Sequence, residues 1–191
     1  DARDYNIIGC VEPQKAGKTE GWHDAAFFNM CRPLELVFAN GMDKGEIVGI
    51  PTGDVTQMKS FEEFFDAYKK QMEYCISLLV NADNAIDVAH AERCPLPFLS
   101  CMIDDCLKEG RSVQEGGAVY NFTGPQGFGI ANMADGLFAI RKLVYEEKKV
   151  SMEEFKEALA WNYDKGLDAQ SAGDMTEMIM KAMQKAGKEA D

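Results

Sequence analysis

The stretch GCVEPQ at residues 9–14, followed by GKTEGWHD at residues 17–24, groups a thiol, an imidazole and several carboxylates around a loop rich in Gly and Pro. Because side chains alternate along extended backbone, we expect Cys10 and Glu12 to project from the same side and to face one small ligand together. Asp24 is predicted to begin a helix, where the positive end of the helix dipole favours a carboxylate.

Three interpretations of this cluster compete. In the first, Cys10 is a buried apolar side chain and Glu12 is solvated. In the second, Cys10 is a thiolate nucleophile, His23 is its base and Asp24 orients His23. Adjacent residues at a helix start diverge by about a third of a turn, which opposes that orientation. In the third, Cys10 carries a hydrogen atom and needs no activating base, so Glu12 acts on the substrate instead.

The composition is typical of a soluble globular protein, since 46% of the 191 residues are hydrophobic and 27% are charged. The net charge of −12 opposes binding to nucleic acid or to an anionic membrane. No apolar run approaches the roughly 20 residues that a membrane-spanning helix needs. The six cysteines form no Cys-x-x-Cys pair, which argues against a zinc site or a disulfide framework and favours a reducing cytoplasm.

Hydrophobic spacing and breaker residues predict a helix-rich chain with few strands. Ser60 and Ser151 are each followed three residues later by Glu, which is a capping-box signature. The predicted helices are 22–40 with a kink at Pro33, a long one from Ser60 through Ala89 that Pro95 and Pro97 end, 98–108, 130–148, 151–164 and 175–191. The predicted strands are 3–9, 46–50 and 118–123, with a loop at 12–21. So few strands predict a larger parent sheet outside this sequence.

Several blocks of the sequence resemble one family. Residues 9–13, GCVEP, resemble the active-site loop of glycyl radical enzymes, and residues 17–29 resemble its dehydratase branch, especially the cobalamin-independent glycerol and propane-1,2-diol dehydratases. Further blocks resemble the same family in the same order, at 83–93, 95–100 and 120–127. The resemblance spans essentially the whole chain.

The resemblance implies a fold. The expected class is α/β, with this chain as a helix-rich partial fragment of a ten-stranded barrel that includes the central Cys loop. Residues 1–191 are then a single fragment of the barrel domain. Within it, 3–24 hold a strand and the active-site loop, and 25–191 are the mostly helical region of the second half-barrel.

The resemblance also implies roles for individual residues. Cys10 is the thiol that becomes a thiyl radical, Glu12 is the base toward the substrate hydroxyl, and Asp24 binds the diol. His23 is expected to support the site from beside Asp24. The implied reaction dehydrates a small vicinal diol to an aldehyde, and burial is expected to bring the pKa of Glu12 closer to neutrality.

The radical store of the family is a glycine in a motif resembling Arg-Val-x-Gly-Tyr, and these 191 residues contain no such motif. We therefore expect the glycyl radical domain to be absent and the fragment to be inactive alone. The expected partners are the remainder of a parent chain, a small polyol and a radical S-adenosylmethionine activase in an oxygen-free cytoplasm. A homodimer is compatible with the resemblance, and no bound metal or cofactor is expected.

Alternatives remain open at this point. Within the family they are choline C–N, isethionate C–S and arylacetate C–C lyases. Asp24 favours a polyol, because a carboxylate accepts hydrogen bonds from hydroxyls and repels a sulfonate. Outside the family's chemistry, the alternative is a non-catalytic fragment or structural relative.

Overall fold

The computed structural model describes residues 2–9, 12–20 and 25–163, with the backbone alone at 161–163. The chain divides into two compact units. Unit 1 comprises residues 1–28 and 76–128, and unit 2 comprises residues 29–75 and 129–191. In the described part of the chain, no helix combines the length and the apolar character needed to cross a membrane.

Unit 2 contains the larger core. Its helices are α1 (Arg32–Phe38), the first part of α2 (Phe61–Arg93), α5 (Ile130–Ile140) with a π-helical continuation over Arg141–Glu146, and α6 (Met152–Tyr163). A small hairpin of β4 (Met42–Asp43) and β5 (Glu46–Ile47) follows α1. Phe64 and Val37 are fully buried, and Ile140 and Phe155 complete the same cluster.

The predicted helix starts in unit 2 are confirmed. Ser60 Oγ accepts the Glu63 amide at 3.2 Å, and Ser151 Oγ accepts the Glu154 amide at 3.2 Å. The Ser151 amide in turn donates to the Glu154 carboxylate at 2.8 Å, which completes a capping box. The end of α2 at Arg93, just before Pro95, is confirmed as well.

Unit 1 is built from short elements around a small core. Strands β1 (Tyr5–Ile8) and β2 (Glu12–Lys15) form an antiparallel hairpin, and β3 (Ala26–Asn29) pairs with β6 (Pro125–Phe128). Helices α3 (Pro97–Ser100) and α4 (Cys106–Glu109) are single turns. The core residues are Ile103, Cys106, Val113 and Ala118, with Leu99 packed against them.

Two predictions near the Cys loop are wrong. Residues 12–15 form strand β2 rather than loop, because they pair with β1. Residues 26–29 form strand β3 rather than helix, and α1 begins only at Arg32, with Pro33 in its first turn instead of at a kink. Asp24 therefore has no helix directly after it, so neither the dipole argument nor the helix-geometry argument about His23 holds.

Two later predictions also fail. The helix expected at 98–108 is interrupted between α3 and α4, where Asp105 adopts a left-handed φ of 73°. The strand expected at 118–123 is absent, and the nearest strand is β6. The helix expected at 175–191 lies outside the described residues.

Candidate active site

The candidate site begins at the turn between β1 and β2. Ile8 pairs with Glu12, so three residues, 9–11, connect the strands, and Cys10 is the middle one. Gly9 has a φ of +59°, a left-handed conformation that glycine adopts without steric cost. Cys10 itself lies outside the described residues. Covalent geometry alone keeps its Cα within about 7.6 Å of the Glu12 Cα.

Glu12 is buried at the start of β2, with only 4% of its surface exposed. The Gln126 side-chain amide donates a hydrogen bond from Nε2 to Glu12 Oε1 at 3.3 Å. The other oxygen, Oε2, lies against the turn, since a Cβ added to Gly9 would stand only 2.7 Å from it. The carboxylate is thus placed between strand β6 and the backbone that leads into the Cys10 turn.

The loop after β2 is fixed by backbone bonds from later parts of unit 1. The Asp104 amide donates to the Gly17 carbonyl at 2.7 Å, and the Tyr120 amide donates to the Lys18 carbonyl at 3.0 Å. Thr19 is 1% exposed and lies in the same loop. These bonds hold the two residues just before Thr19, so the backbone that follows β2 has a defined path.

The base of the hairpin is held by side chains as well. Lys15 is buried, with its Nζ 3.7 Å from Asp4 Oδ2 and 5.7 Å from the centre of the Tyr5 ring. The Tyr5 ring in turn lies 6.1 Å from that of Tyr120. Hence two blocks that are far apart in sequence, the β1–β2 hairpin and the segment around Tyr120, meet beside the site.

Of the predicted site residues, the structure describes Glu12 alone. His23 and Asp24, like Cys10, lie outside the described residues, and their roles stay predictions. Asp24 stands two positions before the start of β3, which pairs with β6, the strand that carries Gln126. Strand β6 therefore contacts both Glu12, through Gln126, and strand β3.

Gln126 is the residue of this site that the sequence analysis missed. The only sequence signal was its place in a stretch, 120–127, that resembles the family. Nothing in the local pattern indicates that its amide reaches a carboxylate 114 positions earlier in the chain.

The other thiols do not form a second reactive centre. Burial raises the pKa of Cys31, Cys75 and Cys106, which keeps these thiols protonated. Cys31 Sγ lies 3.4 Å from the Gly129 carbonyl oxygen and is oriented as its donor. Cys106 is buried, whereas Cys94 and Cys101 are exposed in this chain.

Two cavities lie elsewhere in the described residues. One in unit 1, of about 400 Å³, is lined by polar groups that include Asp87 and His90. One in unit 2, of about 540 Å³, is lined mainly by apolar side chains such as Phe38 and Phe155. Neither is lined by Glu12 or Gln126. Within the described ranges, no three His, Cys, Asp or Glu side chains lie close enough together to hold a metal ion.

The model of the pyruvate formate lyase-like family matches residues 1–191. The chain belongs to that family. The chain is 41% identical over 165 residues to the (2S)-3-sulfopropanediol dehydratase of Klebsiella oxytoca, a match that covers 85% of this chain and 20% of that protein.

Solved structures agree with this assignment to the pyruvate formate lyase-like family. A structure from work on 1,2-propanediol dehydration in Roseburia inulinivorans is 66% identical, with a TM-score of 0.86, over 92% of this chain and 22% of that one. The glycerol-bound B12-independent glycerol dehydratase of Clostridium butyricum is 53% identical, with a TM-score of 0.83, over 91% of this chain and 21% of that one. The chain spans about a fifth of these relatives.

These matches confirm the expected fold class, a helix-rich part of a glycyl radical enzyme barrel with small sheets. The relatives of this pyruvate formate lyase-like chain are glycyl radical dehydratases and other lyases, which include a trans-4-hydroxy-L-proline dehydratase and isethionate sulfite-lyases. The division of residues 1–191 at position 24, and their place as a single barrel fragment, stay predictions.

Proposed function

We propose that the chain is the Cys-loop segment of a glycyl radical dehydratase that converts a small vicinal diol, glycerol or propane-1,2-diol, to an aldehyde and water. The observation that carries the proposal is the placement of Glu12. A carboxylate with 4% exposure follows the three-residue turn that contains Cys10 and is contacted from β6. The 66% and 53% identities to the two structures named above support a diol as substrate.

The proposed chemistry uses a hydrogen atom and a proton in separate steps. The Cys10 thiyl radical takes a hydrogen atom from the carbon that bears the terminal hydroxyl. Glu12 takes the proton of that hydroxyl, which gives a ketyl-like radical. The neighbouring C–O bond then breaks, and the departing hydroxyl takes up the proton that Glu12 removed and leaves as water, which restores the Glu12 carboxylate. Cys10 returns its hydrogen atom to the carbon radical, so one diol gives one aldehyde and one water.

Asp24 and His23 are proposed to bind and orient the substrate. Asp24 accepts hydrogen bonds from the diol hydroxyls, since a carboxylate offers acceptors to two donors at once. His23 supports Asp24 from the adjacent position and makes no direct contact with the diol. Both side chains belong to the segment that leads into β3, which pairs with the strand of Gln126.

The radical itself comes from outside these residues in this proposal. A glycyl radical, installed by a radical S-adenosylmethionine activase, supplies the unpaired electron that makes the Cys10 thiyl. The protein is proposed to act in an oxygen-free cytoplasm, with the remainder of the barrel chain and, as a homodimer, with a second copy.

A second candidate substrate has its own support. The relative at 41% identity is named for (2S)-3-sulfopropanediol, which is a vicinal diol that carries a sulfonate. The Asp24 carboxylate therefore disfavours this substrate only if the sulfonate binds near Asp24. A lyase for isethionate has weaker support, at 32% identity.

A substrate panel tests the proposal. The full-length protein that carries this segment is activated without oxygen and assayed with glycerol, both enantiomers of propane-1,2-diol, 3-sulfopropanediol, hydroxyproline and isethionate. We expect the corresponding aldehyde from glycerol or propane-1,2-diol as the fastest reaction. Turnover of isethionate or hydroxyproline alone, in a preparation that carries the glycyl radical signal, overturns the proposal.

A further inference from the structure

Strand β6 presents one side chain toward the site. Among its four residues, Gln126 is half-buried and the other three are exposed. The strand is paired with β3, and its first residue is Pro125, whose ring fixes φ. The amide of Gln126 is therefore carried on backbone with a defined position, and its Nε2 meets Glu12 Oε1 at 3.3 Å.

We propose that Gln126 is a positioning residue that holds the Glu12 carboxylate in place for proton removal from the substrate. This inference rests on the function proposed above. The bond from β6 reaches Oε1, and Oε2 lies so close to Gly9 that a Cβ added there would stand 2.7 Å from it. With Oε1 bonded and Oε2 beside Gly9, the carboxylate is held against the start of the turn.

A neutral amide suits this task better than a cation. A Lys or Arg donor would form a charge-assisted bond, about twice as strong as a neutral one, and would lower the basicity of the carboxylate further. Gln126 orients Glu12 with a neutral donor instead. Positioning of this kind matters because a misplacement of about 1 Å can cost on the order of 10²-fold in rate.

The test uses the activated full-length protein and two apolar variants. Gln126→Leu removes the amide, and Gln126→Met removes it while keeping an unbranched chain of similar length. We expect either variant to lower kcat by roughly 10- to 100-fold, with KM changed less than about twofold and the glycyl radical signal in electron paramagnetic resonance unchanged. The Met variant decides the outcome where the Leu variant fails to fold.

A matched control is available in the same unit. Gln114 Nε2 donates to Glu20 Oε1 at 3.4 Å, a bond of the same type to a carboxylate outside the proposed reaction. Gln114→Leu is expected to leave kcat within about twofold of the parent value. An equal loss of kcat in both Gln→Leu variants, or none in the Gln126 variants, overturns the inference.

A double-variant cycle separates positioning from a general structural effect. If Gln126 acts through Glu12, Gln126→Met causes no further loss in a Glu12→Gln background. If Gln126→Met lowers kcat by the same factor with Glu12 present and in the Glu12→Gln background, the inference is overturned while the proposed function stands. Full activity of Glu12→Gln alone means that the base role proposed for Glu12 has failed, which is a different result from the failure of the inference about Gln126.

Discussion

Gly9 has a left-handed backbone conformation and lies close to the carboxylate of Glu12, the proposed base. Its left-handed φ of +59° costs any other residue about 1–2 kcal/mol, and an added Cβ would also stand 2.7 Å from Glu12 Oε2. We predict that Gly9→Ala pushes the carboxylate aside and lowers kcat of the full-length protein at least tenfold. The measurement is aldehyde formation per glycyl radical spin.

Gly17 provides the control for this prediction. It also has a left-handed φ, +69°, but an added Cβ would meet nothing within 4 Å. Gly17→Ala therefore introduces the same backbone strain without the contact to Glu12. Equal kcat values for the two variants would show that strain alone acts and that the Glu12 position is unimportant.

Cys10 is expected to be indispensable as a hydrogen-atom carrier. We predict that Cys10→Ser abolishes turnover, because the serine O–H bond is too strong to exchange its hydrogen atom with a carbon radical. The glycyl radical should still form, since its installation does not use this side chain in the proposal. Electron paramagnetic resonance and product analysis on one sample check both halves, and retained turnover contradicts the thiyl role.

Glu12 is expected to act as a base. Glu12→Gln keeps the size of the side chain but cannot take up a proton, and we predict a loss of roughly 10²- to 10⁴-fold in dehydration rate. Glu20→Gln is the matched control, because Glu20 is an exposed carboxylate on the same loop. If both variants turn over like the parent, another group removes the proton.

At the scale of elements, Gln71 connects α2 to the segment before it in sequence. It is fully buried, donates to the Ile50 carbonyl at 2.6 Å and accepts the Ile50 amide at 3.2 Å. We predict that Gln71→Leu leaves both groups unpaired and lowers the local opening free energy by about 2 kcal/mol. Hydrogen–deuterium exchange should then be on the order of 30-fold faster around Ile50.

Gln57→Leu is the comparison for that measurement. Gln57 is exposed, and its amide donates only to the neighbouring Thr56 hydroxyl at 3.3 Å. Its removal should leave exchange around Ile50 unchanged. Unchanged exchange in the Gln71 variant too would mean that the segment at Ile50 is held by other contacts.

The sequence could predict those elements whose signals are local. The starts of α2 and α6 follow from Ser60 and Ser151, whose hydroxyls cap amides only three residues away. Such signals are local. Strands β3 and β6 instead form by pairing with each other across about a hundred residues, and no local period indicates that partner.

Segment 118–123 is predicted as a strand but is irregular in the structure. Its alternating pattern predicts a strand, but Asn121 Nδ2 bonds the carbonyls of Gly116 and Ala118, at 3.2 and 3.0 Å. These side-chain bonds compete with a strand ladder and keep the backbone irregular. In the candidate site, likewise, Glu12 follows from the quoted motif, whereas Gln126 depends on where β6 pairs and therefore requires the structure.

At the scale of the whole molecule, the described residues expose large apolar side chains. The most exposed are Phe98 at 79%, Ile47 at 78%, Leu107 at 71% and Phe27 at 67%. The chain spans about a fifth of its relatives, whose remaining residues are the natural cover for such surface in the proposed barrel. Exposed apolar surface of this kind favours association when nothing covers it.

We predict that the 191-residue segment, expressed alone, binds a hydrophobic dye and self-associates in size-exclusion chromatography. Association should increase with salt, because the net charge of −12 keeps copies apart until it is screened. Replacing Phe27, Ile47, Phe98 and Leu107 together by Ser should reduce dye binding and association if those side chains are the cause. If the unsubstituted segment stays monomeric at high salt and binds no dye, its apolar surface needs no partner. The rest of the barrel would then be unnecessary for its folding.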